Sequence, residues 1–158
     1  METKGRLLVV DDDHAIRKLL ERIAKRAGFE VESAKDGIEA LELIEAGDYD
    51  VALVDLMMPR LSGYELVQRI STRERRPVVI VATALTNADV STVDDTMVRR
   101  VIRKPFDVQA IVTALTEAME HLMAKRAMLS VADPPQDETV NDEKPAEAVP
   151  PVNLQAPC

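Results

Sequence analysis

The chain has 158 residues, 46% of them apolar and 30% charged, with a net charge of −8, which suits one soluble domain with a single well-filled core. Aromatic residues make up only 3% and tryptophan is absent, so the core is expected to be aliphatic and rich in methionine. No apolar run approaches the ~20 residues of a membrane helix and no signal-peptide pattern opens the chain. Its single cysteine, Cys158, leaves no internal disulfide, so a cytoplasmic protein is expected.

The first apolar run, Arg6–Val10, fits a strand buried on both faces, and it ends in Asp11, Asp12 and Asp13. Ile16, Leu19, Leu20 and Ile23 follow at helical spacing, with Asp12 or Asp13 as the cap and Gly28 just past the end. Residues 29–33 alternate as a second strand does, and Asp36-Gly37 opens a second helix carrying Ile38, Leu41 and Ile44, closed by Gly47.

The strand Val51–Val54 stops at the carboxylate of Asp55, and a Met57-Met58-Pro59 turn leads to Gly63 and a third helix with Leu66, Val67 and Ile70. Pro77 precedes Val78-Val79-Ile80-Val81-Ala82, the most strand-like segment of the chain. Between 85 and 98 the helical spacing is weak, in a stretch rich in Thr, Asp and β-branched residues, so a short or frayed helix is expected. Residues 99–103 fit a fifth strand ended by Lys104-Pro105. Val108, Ile111, Val112, Leu115, Met119 and Leu122 mark a final amphipathic helix over about 107–128.

Past that helix the composition changes. Residues 130–158 hold six acidic side chains (Asp133, Asp137, Glu138, Asp142, Glu143, Glu147) against Lys144, and six of the nine prolines. Such a segment buries too little apolar surface to offset its ordering entropy. It is read as a disordered acidic tail behind a folded domain of residues 1–129, with nothing in it resembling a DNA-binding module.

Strand and helix alternate with short connections, the pattern of a parallel sheet covered on both faces. In such sheets functional groups gather beyond the carboxyl ends of the strands. That rule brings Asp11 and Asp12, Asp55, Thr83 and Lys104 to one crevice. Three neighbouring carboxylates repel one another, and an oxygen-only donor set without His or Cys favours Mg²⁺ over zinc. Lys104 adds a second positive group and Thr83 a hydrogen-bond donor, the parts needed when an aspartate attacks phosphorus.

Four segments together, V-V-D-D-D (9–13), V-D-L-M-M-P-R-L-S-G (54–63), A-T-A (82–84) and K-P-F (104–106), resemble the receiver domain of two-component response regulators over about residues 5–125. The resemblance implies a flavodoxin-like α/β fold, a doubly wound five-stranded parallel sheet of order 2-1-3-4-5. It implies that Asp55 accepts a phosphoryl group from the phosphohistidine of a sensor histidine kinase. By the same match Asp12, Asp55 and the backbone oxygen of Met57 hold Mg²⁺, with Asp11 acting through water. Thr83 and Lys104 contact the phosphoryl oxygens, and the peptide before Pro105 is cis.

Each residue also has a plainer reading. Asp11–13 can cap a helix, Asp55 can end a turn, Thr83 suits any strand, and Lys104 can be a solvated charge. His14 and His121 have no partners at ligand spacing and read as surface residues, and Arg99, Arg100 and Arg103 as a solvated strand edge. The chain departs from the family where many receivers carry an aromatic three residues before the lysine: here that place is Val101. The usual Gly-Ala pair before the fifth strand is replaced by Asp95-Thr96-Met97-Val98.

The resemblance therefore implies a stand-alone phosphoacceptor, not an enzyme, whose output passes to a downstream protein partner or phosphotransfer protein. A phosphorylation-independent interaction module is the alternative. A Mg²⁺-dependent phosphohydrolase of the haloacid dehalogenase type needs a second Asp two residues after the nucleophile, where this chain has Met57. Apolar Met57 and Leu85 are expected to shield a phosphoryl group on Asp55 from water and lengthen its life.

Overall fold

The structure is a computed structural model that describes residues 3–84, 96 and 98–132, the last three by backbone alone. It divides into two units, Met1–Ala124 and Lys125–Cys158. The first holds all five strands: β1 (Arg6–Val10), β2 (Glu30–Ala34), β3 (Val51–Val54), β4 (Val78–Thr83) and β5 (Val98–Arg103). They pair in parallel in the order β2-β1-β3-β4-β5, a doubly wound flavodoxin-like sheet. Among the described residues the helices are α1 (His14–Arg26), α2 (Gly37–Ala46), α3 (Gly63–Ser71) and α4 (Val108–Ala132), of which Lys125–Ala132 falls in the second unit.

The central strands are continuous apolar runs because both of their faces are buried. Alternate residues serve opposite sides. Leu7, Val9, Leu53 and Ile80 pack with Leu20 and Ile23 of α1 and Ile111 and Leu115 of α4. Leu8, Val10, Val54 and Val81 pack with Ala40 and Ile44 of α2 and Leu66 and Ile70 of α3. At roughly 25 cal/mol per Å² of apolar surface, these two aliphatic layers are the main favourable term in folding.

The sequence dictates where helices begin. Asp13, Asp36 and Ser62 sit at the N-caps of α1, α2 and α3, each accepting from a backbone N–H in the first turn. Ser62 and Glu65 complete a reciprocal capping box. Asp107 accepts from the Ala110 amide at 2.6 Å and opens α4.

Some boundaries differ from the sequence reading. Phe29 is a buried core residue ahead of β2, which runs on to Ala34, paired with Val10. Strand β5 begins at Val98. Helix α4 continues past Met128 to Ala132. Of the helix expected over 85–98, Thr96 lies in a turn and Val98 in β5, and the rest lies outside the described residues; of the acidic tail expected over 130–158, residues 130–132 belong to α4 and the rest lies outside them. No described helix is long and apolar enough to cross a membrane.

Candidate functional site

Strand register brings the site together. Val10 pairs with Val54, so Asp11 and Asp55 follow as neighbours, and the Asp55 amide donates to the Val10 carbonyl at 2.9 Å. On the other side Thr83 pairs with Arg103, and the Lys104 amide donates to the Thr83 carbonyl at 2.9 Å. Lys104 is thereby aimed back over the sheet. Its Nζ lies 2.8 Å from Asp11 Oδ2 and 3.1 Å from Asp55 Oδ2.

The remaining oxygens of both carboxylates are also engaged. Asp11 Oδ1 accepts from the Asp13 amide at 2.9 Å, and Asp55 Oδ1 from the Met57 amide at 3.0 Å. Asp11 and Asp55 are buried while Asp12 is exposed, and ligand oxygens of the three lie within 4.8 Å of one another. Thr83 is fully buried, the Met57 side chain is 58% exposed, and the Lys104–Pro105 peptide is cis.

The electrostatics follow from this crowding. Burial pushes the Asp55 carboxyl above the usual carboxylate range, and the neighbouring Asp11 charge adds to that. The Met57 N–H and Lys104 only partly offset it. Burial acts to lower the Lys104 pKa, yet its hydrogen bonds and Coulomb attraction to Asp11 and Asp55 hold it above that of a free lysine. The ammonium is thus locked in its charged form between two carboxylates.

Residues 7–116 match the family model of the response regulator receiver domain. The chain belongs to that family. Among its relatives, the response regulator MprA of Mycobacterium avium (strain 104) is 33% identical over 134 residues, covering 84% of this chain and 54% of that protein. MprA of Mycobacterium sp. (strain KMS) is 45% identical over 76 residues, 48% of this chain and 33% of that protein. The receiver domain therefore spans about half, or less, of the length of these curated relatives. A CheY-like receiver domain protein from Methanospirillum hungatei JF-1 superposes with a TM-score of 0.71 at 26% identity, covering 76% of this chain and 97% of the other. The receiver domain of Francisella response regulator 1452 does so with a TM-score of 0.69 at 27% identity, over 74% and 98%.

Several residues that shape the receiver site carry no motif of their own. The Arg17 guanidinium reaches back from α1 to the Asp11 carbonyl, Nη1 to O 2.8 Å. Arg60 has a left-handed backbone, φ 71°, and pairs with the buried Asp36 at 3.2 Å, tying the loop after Asp55 to the start of α2. Gly63 lets α3 close on the end of β3, since a Cβ there would lie 2.2 Å from the Asp55 carbonyl oxygen. Only the Gly63 requirement leaves a trace in sequence, as a glycine at a helix start. The arginines act by reach, which spacing does not reveal.

The acidic cluster suits a hard divalent cation. Its donors are all carboxylate oxygens, Asp12 is open to solvent, and the engaged oxygens of Asp11 and Asp55 each keep a second lone pair.

Proposed function

We propose that this receiver domain is a phosphoacceptor that takes a phosphoryl group from the phosphohistidine of a sensor histidine kinase onto Asp55. The observation that carries the reading is the Lys104 ammonium, bonded at once to the Asp55 and Asp11 carboxylates beside the exposed Asp12. An Asp55 carboxylate oxygen attacks phosphorus as the P–N bond breaks, and that electron pair returns to the imidazole nitrogen. Lys104 follows its charge from the Asp55 carboxylate to the phosphoryl oxygens, with the Thr83 hydroxyl as a further donor. Asp11, Asp12, Asp55 and the Met57 backbone oxygen are the groups assigned to Mg²⁺. When bound, the ion neutralises charge on the transferring phosphoryl oxygens.

The product brings about −1.5 to −2 charge and three strong acceptors to a site already built around one cation. Thr83 and Lys104 end adjacent strands, so a pull on both biases the surface that carries β5 toward one of two arrangements. A downstream protein or a phosphotransfer protein reads that change. The protein is itself the substrate: Asp55 is phosphorylated, and water then cleaves the acyl phosphate to return the carboxylate and inorganic phosphate.

Incubation with a small-molecule phosphodonor and Mg²⁺, followed by intact mass measurement, tests the reading. Wild type is expected to gain one phosphoryl group and Asp55→Asn none. No gain on wild type, or equal gain on both, sinks it.

A further inference from the structure

We infer that Arg17 is a positioning residue that sets the Asp12 carboxylate for the cation, an inference that rests on the metal reading of the acidic cluster. Asp12 is the exposed member of that cluster, and no described hydrogen bond or ion pair engages its carboxylate. With no such partner on the side chain, the direction of its Cα–Cβ bond, set by the backbone, is what decides where the carboxylate can reach. Asp11 is fixed on one side through its amide, which donates to the Ala34 carbonyl at 3.2 Å, and through its side chain, which accepts from the Asp13 amide. Asp13 is fixed on the other as the cap of α1, with its Oδ1 accepting from the Ile16 amide at 3.1 Å.

The peptide between Asp11 and Asp12 is the remaining degree of freedom, and Arg17 holds it. The peptide is planar, so the direction of the Asp11 carbonyl also sets the direction of the Asp12 N–H. That in turn fixes the bond from which the Asp12 side chain departs. Arg17 Nη1 donates to this carbonyl at 2.8 Å from a half-buried position one turn into α1. The guanidinium is itself held, because its Nη2 lies 3.1 Å from His14 Nδ1. A guanidinium has donors only, so His14 Nδ1 accepts and its ring proton resides on Nε2. A fork with one tine on the carbonyl and one on the imidazole keeps the peptide from turning. Its loss leaves the fold's core untouched, since Arg17 is not a core residue.

The test is an amide NMR titration of the full chain with MgCl₂ at constant ionic strength, with melting midpoints in chelator run alongside. Removing an outer partner of a metal ligand typically costs ten- to a hundredfold in affinity, so Arg17→Ala is expected to bind Mg²⁺ about tenfold more weakly. Its metal-free midpoint stays near wild type. Arg17→Lys, which keeps the charge but puts one donor nitrogen in place of the fork, falls between the two and serves should Arg17→Ala not fold. Because the effect runs through Asp12, Arg17→Ala costs little when added to Asp12→Asn. Unchanged affinity in Arg17→Ala overturns the inference, as does an equal loss in the Asp12→Asn background. Absence of Mg²⁺ binding by wild type removes the metal reading itself and the Arg17 role with it.

Discussion

Lys104 Nζ and Asp55 Oδ2 stand 3.1 Å apart although 49 residues separate them in sequence. The same ammonium holds Asp11, so one cation balances two buried carboxylates. Lys104→Met leaves both without it. Breaking a buried ion pair by removing one partner costs about 3 kcal/mol, and urea unfolding at neutral pH without divalent cations is expected to read a loss of that order. A loss below about 1 kcal/mol would mean that the pair contributes no more than a surface ion pair.

Asp55 itself is expected to cost the metal-free fold stability. Its pKa is raised in the folded state, so its contribution is fully present below its unfolded pKa and is lost as pH rises through the folded one. At neutral pH the ionised form is therefore disfavoured on folding. Asp55→Asn should melt above wild type in chelator at pH 7, with the gap closing as pH falls through the raised Asp55 pKa and below it. Melting curves of the two proteins across that range decide the matter. A variant that melts lower at pH 7 would show that Lys104 outweighs burial.

The loop behind Asp55 carries a separable strain. Arg60 is a non-glycine residue at φ 71°, a conformation that costs an L residue roughly 1–2 kcal/mol. Its side chain is 65% exposed, so its pair with Asp36 contributes little. Arg60→Gly relieves the backbone and Arg60→Ala does not. The glycine variant should therefore be the more stable of the two by about 1 kcal/mol in denaturant unfolding. Equal stability would place the strain elsewhere.

Gly63→Ala is expected to be severe. With only 2.2 Å between the added Cβ and the Asp55 carbonyl oxygen, α3 must move off the end of β3. Such overpacking costs about 1–3 kcal/mol and shifts the Asp55 peptide. Denaturant unfolding and phosphodonor labelling should both fall. Wild-type behaviour in both would mean that the helix start yields without disturbing Asp55.

How much of this was legible beforehand follows from the physics of each part. The strands were, because Leu7–Val10, Val51–Val54 and Val79–Ala82 are runs buried on both faces, and a strand that stops at a charge announces its end. Asp11, Asp12, Asp55 and Lys104 could be grouped because a parallel sheet brings the carboxyl ends of its strands to one edge. Helix α4 outruns its apolar periodicity, which stops at Leu122, because exposed residues of good helix propensity such as Ala124, Lys125 and Met128 extend it without burying a face. Arg17 and Arg60 were invisible because their partners, a backbone carbonyl and a helix cap, are chosen by side-chain reach in three dimensions. His14, read as an isolated surface residue, is exposed yet holds Arg17.

Met57 bears on the hydrolytic loss of a phosphoryl group from Asp55. Its side chain is exposed two residues beyond Asp55, while Leu85, the other apolar residue invoked as a shield, lies outside the described residues. Met57→Asn should shorten the phospho-Asp55 half-life roughly several-fold, well short of the ~10²–10⁴-fold of a positioned general acid or base, because an amide only orients the attacking water. The decay of phosphorylated protein after donor removal measures it. An unchanged half-life would take the shield out of the account.

The central claim is that Asp55 is the residue modified. Borohydride reduction of donor-treated protein converts an aspartyl phosphate to homoserine, which peptide mass mapping then locates. Homoserine is expected at position 55 alone, dependent on Mg²⁺ and absent without phosphodonor. Homoserine at Asp11 or Asp12, or none at all on protein that has gained phosphoryl mass, would contradict it.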